Sequence, residues 1–165
     1  MATHLKNLSD FSHTEIPNAA GFKVGIVVAE WNAKITGALY DGAVNTLLKH
    51  GVIASDLETY AVPGSFELTA AAGMLLAQRN HLDAVICIGC VIQGDTKHFD
   101  FICDAVANGI SNASLQYQKP VIFGVLTTNT EEQALDRAGG KHGNKGDEAA
   151  ITAIKMIQFA KDIQN

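Results

Sequence analysis

Four short segments of the chain, residues 22–29, 57–62, 83–92 and 120–127, are rich in β-branched residues and bounded by Gly, Pro, Asn or Asp. That composition and length predict strands. Beyond the strands, apolar residues recur three or four positions apart, which predicts helices over about 33–50, 66–79, 95–117 and 147–163. A shorter helix is predicted after Asn129-Thr130-Glu131-Glu132, where acidic side chains favour a first turn. In the first helix Leu39, Val44, Leu47 and Leu48 share one side, and Gly51 follows as the residue that closes it. Strand and helix alternate four times, which calls for a parallel sheet with helices on both faces. Residues 1–20 are polar and aperiodic; they are expected to form an arm, frayed or laid on a neighbour, ahead of a single domain over 21–165.

The stretch from Asp83 to Phe101, DAVICIGCVIQGDTKHFDF, organises the rest. Its first ten residues are nearly all apolar, the pattern of a strand buried on both faces and therefore central. Gln93-Gly94-Asp95-Thr96-Lys97 then leads into a helix expected to open near Asp95 or Thr96. Unpartnered N–H groups and the helix dipole at such an opening favour an anion. His98 falls in the first turn, beside any anion held there, and an imidazole with an ordinary pKa near ~6.5 can move protons at neutral pH. Strand, glycine and helix start also occur in α/β proteins with no site here, and a histidine between Lys97 and Phe99 can equally be a solvated capping residue.

Composition narrows the class. A net charge of −5 gives no basic footprint, so nucleic acid is not an expected partner. Charged residues make up 18% of the chain against ~25% in ordinary soluble domains, while 47% is hydrophobic, which points to surface hidden in an oligomer. The last helix agrees, because it carries one apolar stripe of Ala150, Ala153, Ile154 and Ile157 and a second of Ile151, Met156 and Phe159. A helix packed on one sheet needs only one stripe. No charged leader followed by an apolar run and no membrane-length apolar stretch is present, so a soluble, cytoplasmic protein is expected.

Cys87 and Cys90 are spaced CxxC, but positions three apart on a strand point to opposite faces, so this pair is read with Cys103 as structural thiols. The six histidines are scattered without a metal-ligand spacing, and no zinc site is expected. Ligands of a parallel α/β sheet sit beyond the carboxyl ends of the strands. The segments there are Glu30-Trp31-Asn32, Gly64-Ser65-Phe66-Glu67, Gln93 to His98 and Thr127-Thr128-Asn129. Trp31, the single tryptophan, is either a stacking platform for a flat heterocycle or a staple for its helix. Glu67 is either a dipole charge or, with Ser65, a ligand for hydroxyls.

Three blocks now stand out: VPGSFELTAAA from Val62, GCVIQGDTKHFDFI from Gly89, and KPVIFGVLTTNTEEQALDRAGGKHGNKG from Lys119. Together they resemble the signature blocks of the 6,7-dimethyl-8-ribityllumazine synthase family of riboflavin biosynthesis, in order from about Phe22 to Ile157. The resemblance implies a flavodoxin-like three-layer α/β/α sandwich with a four-stranded parallel sheet. It implies a transferase that condenses 5-amino-6-(D-ribitylamino)uracil with 3,4-dihydroxy-2-butanone 4-phosphate, releasing phosphate and water. Trp31 would stack on the pyrimidine, Ser65, Phe66 and Glu67 would hold the ribityl chain and ring, and Cys90, Val91 and Ile92 would line the ring site through their backbones. Gly94, Asp95 and Thr96 would approach the phosphate, His98 would shuttle protons, and Arg137 from a neighbouring subunit would pair with the phosphate. Phe123, Lys141 and Lys145 fall on interface and site positions, with Lys141 the lysine expected to reach the ligand. The resemblance further implies a ring of five subunits, and it leaves open a shell of sixty and an association with riboflavin synthase.

Elementary chemistry agrees with these roles. Imine formation needs protons delivered and removed near neutrality, and a departing phosphate needs a guanidinium and N–H groups. No step calls for redox or an electrophilic metal, so no cofactor is expected. Two positions depart from the family pattern: Trp31 stands where Phe is often found, and Gln93 where Arg is frequent. A carboxylate at Asp95 would repel phosphate, so Asp95 is assigned by its backbone alone. The rival readings are an FMN-binding or phospho-acceptor module on the same fold and an idle shell protein. The first lacks a hydroxyl-rich loop after strand one or an aspartate ending strand three, and the second does not explain Glu67, His98 and Arg137 occurring together.

Overall fold

A computed structural model describes residues 7–13 and 15–164. Four parallel strands, β1 (Val24–Ala29), β2 (Leu57–Val62), β3 (Ala84–Ile92) and β4 (Val121–Thr128), form one sheet in the order β2-β1-β3-β4. Helices α1 (Ala33–Lys49), α2 (Leu68–Gln78), α3 (His98–Tyr117), α4 (Glu131–Leu135) and α5 (Lys145–Asp162) complete the chain with a small antiparallel pair, β5 (Ala138–Gly140) and β6 (Gly143–Asn144). This is the parallel sheet with helices on both faces that the alternating pattern called for, in the flavodoxin-like form that the resemblance implied. Residues 1–6 and 14, part of the expected arm, lie outside the described residues. The described part of that arm rests on its own chain: Leu8 is buried and donates its N–H to the His142 carbonyl at 2.8 Å, and Ala19 is fully buried.

The period of two in β1 and β3 sorts their side chains into the two outer layers. Ile26, Ile86 and Ile88 face α1 and α5, where they meet Leu39, Leu47, Ala150 and Ile154. Val27, Val85 and Cys87 face α2 and α3, where they meet Leu68, Ala72, Val106 and Ile110. Each fully buried Ile or Leu of this kind contributes about 1.5–3 kcal/mol. The expected second stripe of α5 is corrected in one member: Ile151 is buried in the chain's own core, while Met156 and Phe159 remain exposed. Ile151 follows Ala150 by only ~100° around the helix, so the sheet-facing stripe is wide enough to include it.

Two boundaries differ from the sequence-based expectation in ways that matter for the site. The 66–79 segment begins with a single tight turn, Ser65–Glu67, before α2. α3 opens at His98, later than expected, with Lys97 as a cap that makes no side-chain hydrogen bond. Asp95 and Thr96 thus belong to the loop, where their short polar side chains favour turn geometry over helix. The glycine-broken loop after α4 is held by the β5–β6 ladder, with Gly139 (φ 102°) and Gly143 (φ 80°) in the left-handed region that spares glycine.

At the start of α5 the chain passes so near α1 that a Cβ on Gly146 would overlap the Leu39 carbonyl oxygen. Backbone cannot yield as a side-chain tip can. Gly146→Ala is therefore expected to cost about 3 kcal/mol or more, whereas Gly37→Ala, with nothing within 4 Å of the new Cβ, should stabilise α1 by about 0.5–1 kcal/mol. Denaturant unfolding of the two variants checks this; equal midpoints would contradict the close approach.

Candidate active site

The carboxyl ends of β1, β2 and β3 converge on a cleft of about 600 Å³ lined by Trp31, Asn32, Gly64, Ser65, Phe66, Glu67, Cys90, Val91, Ile92, His98 and Ile102. Backbone bonds set its walls. The Glu30 N–H donates to the Val62 carbonyl at 2.8 Å and the Trp31 N–H to the Pro63 carbonyl at 3.1 Å, so the loop after β1 is fastened to the loop after β2. Asn32 crosses to the third loop, donating from Nδ2 to the Cys90 carbonyl at 3.0 Å. Trp31 and Phe66 hold their rings out into solvent at the mouth, 73% and 53% exposed. Exposed aromatic rings offer flat faces on which a planar group can stack.

Of the residues expected from sequence, Trp31, Ser65, Phe66, Glu67, Cys90, Val91, Ile92 and His98 line this one cleft. Gly94, Asp95 and Thr96 do not line it; they form the exposed loop that delivers His98, whose N–H donates to Thr96 Oγ1 at a long 3.4 Å. Phe123 lies apart, on β4 in a hollow with Ala107, Ile110, Ser111, Ser114 and Val121. Arg137 follows α4 and donates from Nη1 to the Gln133 carbonyl at 2.9 Å, while Lys141 pairs with Asp136 at 2.8 Å. Neither cation lines the cleft of its own chain. Lys145 is bonded to Glu148 at 2.8 Å.

Asn32, Gly64 and Ile102 line the cleft without having been singled out as ligands. Asn32 and Gly64 lie in segments that topology puts at the ligand edge. Ile102 is hidden by the apolar periodicity of α3, which makes it look like core.

Burial governs the thiols. Cys87 lies wholly within the α2/α3 layer and burial pushes it up to about 12; Cys90 belongs to the opposite layer and is raised to about 11 by burial and by the Glu131 carboxylate. Neither forms a thiolate near neutrality. Among the described residues no group of three or more His, Cys, Asp or Glu side chains could hold a metal ion. Treatment of the native protein with diamide is expected to leave Cys87 and Cys90 reduced, because their side chains occupy opposite layers; a disulfide mapped between them by peptide mass would contradict that placement.

Ser65 is buried, yet its Oγ has no hydrogen-bond partner among the described residues. A buried hydroxyl left unpaired costs ~1–3 kcal/mol, so its retention at the cleft wall fits a ligand group as partner. Ser65→Ala should leave unfolding stability unchanged or raise it by up to about 1 kcal/mol while weakening a hydroxyl-bearing ligand roughly fivefold or more. Thermal melts with ligand titration test this, and a large loss of stability without loss of affinity would contradict it.

The family model for 6,7-dimethyl-8-ribityllumazine synthase matches residues 21–161. Among curated proteins, the 6,7-dimethyl-8-ribityllumazine synthase of Cytophaga hutchinsonii is 60% identical over 95% of this chain and 98% of its own length. That of Parabacteroides distasonis is 54% identical over 97% of this chain and 99% of its own, and that of Phocaeicola vulgatus is 51% identical over 99% and 97%.

Proposed function

Because the chain belongs to the 6,7-dimethyl-8-ribityllumazine synthase family and is a transferase of riboflavin biosynthesis, we propose how its residues divide the work of that reaction. The reaction condenses 5-amino-6-(D-ribitylamino)uracil with 3,4-dihydroxy-2-butanone 4-phosphate to the lumazine, releasing phosphate and water. The observation that carries the assignment is the cleft itself, which brings Trp31, Ser65, Phe66, Glu67, the end of β3 and His98 together from four separate segments. The pyrimidine stacks on Trp31 against Cys90, Val91 and Ile92. The ribityl hydroxyls take Ser65 Oγ and the Glu67 carboxylate as partners.

His98 moves the protons. Its position at the first turn of α3 and the mouth of the cleft lets the imidazole accept a proton from the attacking amine and return one to the departing hydroxyl. The phosphate lies toward the 94–96 loop, with the first N–H groups of α3 beside it. Arg137 supplies the guanidinium from a second copy, a reading supported by its place outside the cleft of its own chain. Lys141 and Phe123 reach the site the same way.

Assembly is part of the same proposal. Phe66, Met74, Phe101 and Leu115, from the α2 and α3 segments, are each more than half exposed. Such residues support an interface with a neighbour, which family membership makes a ring of five, and Met156 and Phe159 of α5 offer contacts for closure of rings into a sixty-subunit shell, which riboflavin synthase would accompany. No helix among the described residues is long and apolar enough to cross a membrane, and we infer a cytoplasmic location.

Incubating the purified protein with the two substrates is expected to give lumazine fluorescence and free phosphate in equal amounts; neither product above the uncatalysed rate would sink the reading. His98→Ala should slow lumazine formation by ~10²–10⁴-fold at nearly unchanged substrate affinity, and a loss under about tenfold would remove the proton-transfer role. Arg137→Ala should weaken the butanone phosphate far more than the pyrimidine, since only the former offers a dianion for bidentate pairing. Equal losses would contradict the assignment.

A further inference from the structure

Asn32 occupies the cleft in a way that helix formation does not explain. It stands before the first residue of α1, where an Asn side chain ordinarily accepts a hydrogen bond from the first turn, yet it makes no such bond. Its backbone is left-handed, at φ 62° and ψ 42°, whereas a capping residue is ordinarily extended. That region is uncommon for any residue with a Cβ, though Asn tolerates it better than most.

The carboxamide turns away from the helix and donates to the Cys90 carbonyl at 3.0 Å. Pairing between β1 and β3 ends at Val28 and Ile88, so the Cys90 carbonyl lies beyond the last pair and the Asn32 amide donates where β1 has stopped. The Asn32 carbonyl meanwhile accepts the N–H groups of Ile35 at 2.8 Å and Thr36 at 3.0 Å. The residue is thereby fixed to α1 through its main chain and to β3 through its side chain.

Trp31 comes immediately before it, with a side chain too exposed for intrachain packing to hold the ring. What sets the ring is the backbone at its two ends: the Trp31 N–H on Pro63 and the anchored Asn32. We propose that Asn32 is a positioning residue, whose carboxamide bridge to Cys90 fixes the Trp31 ring relative to the Cys90–Ile92 wall and so sets affinity for the flat pyrimidine substrate. The proposal rests on the reading of Trp31 as the stacking platform. It gives Asn32 no contact with the reacting atoms.

Asn32→Gly and Asn32→Asp separate this role from a purely conformational one. Glycine accepts the left-handed backbone freely but has no carboxamide, and aspartate keeps shape and backbone tolerance but cannot donate to a carbonyl as a carboxylate. Trp31 is the only tryptophan, so its emission reports on this ring alone. The assembled full-length protein is titrated with 5-amino-6-(D-ribitylamino)uracil while that emission is followed, and steady-state rates are measured against 3,4-dihydroxy-2-butanone 4-phosphate. Both variants are expected to raise the pyrimidine dissociation constant roughly fivefold or more, with KM for the phosphate substrate changed less than about twofold. Wild-type affinity in Asn32→Gly overturns the proposal, as does equal weakening of both substrates. If Asn32→Asp fails to fold, Asn32→Gly decides alone. Absence of any emission change in the wild-type protein removes the stacking platform itself, an outcome distinct from a normal response that the variants leave unaltered.

Discussion

Everything in this molecule answers to the need of β3 to be covered on both faces and paired on both edges. From Ala84 to Cys90 every residue is buried, and the strand pairs with β1 on one side and β4 on the other. A strand with apolar residues on both faces cannot sit at a solvated surface, so α1 and α5 must cover one side and α2 and α3 the other. Parallel pairing then sends every strand's exit to the same edge. The loops after β1, β2 and β3 meet there without further instruction, and that meeting is the cleft.

The chemistry follows from how those loops are tied. Backbone bonds from Glu30 and Trp31 to Val62 and Pro63, and the amide bond from Asn32 to Cys90, hold three loops in one arrangement before any ligand arrives. A site on loops so fastened gives up little conformational freedom on binding. The proposed roles draw on this arrangement: the apolar wall from Cys90 to Ile92 with the exposed Trp31 ring for a flat heterocycle, and Ser65 Oγ, buried and without a partner among the described residues, for a polar ligand group. Among the described residues no Lys or Arg side chain lines the cleft, and the proposal that a second copy supplies Arg137 for the phosphate answers to that.

Much of this was legible in the sequence. The apolar runs locate β1, β3 and β4, because burial on both faces leaves an apolar run that no loop imitates, and the 3.6-residue spacing locates the long helices; the edge strand β2, half-buried or exposed throughout, is located by its bounds at Asp56 and Pro63. That Trp31, Ser65, Glu67 and His98 come to one cleft was legible because topology places their segments at the same sheet edge. Three features were not legible. The opening of α3 at His98 depends on turn geometry around Asp95 and Thr96, which no apolar period records. β5 and β6 are too short for any period. Burial of Ile151 with the first stripe depends on the width of the surface that α5 meets, which is tertiary information.

The central claim is that each active site joins His98 of one copy to Arg137 of another, and mixing tests it most directly. His98→Ala and Arg137→Ala proteins, each impaired alone, are unfolded, combined in equal amounts and refolded together. If the site is shared, random assembly pairs an intact His98 with an intact Arg137 at about a quarter of the sites, and lumazine formation returns to about that fraction of wild type. If both residues serve the site of their own chain, the mixture shows only the mean of the two impaired proteins, and the shared site is contradicted.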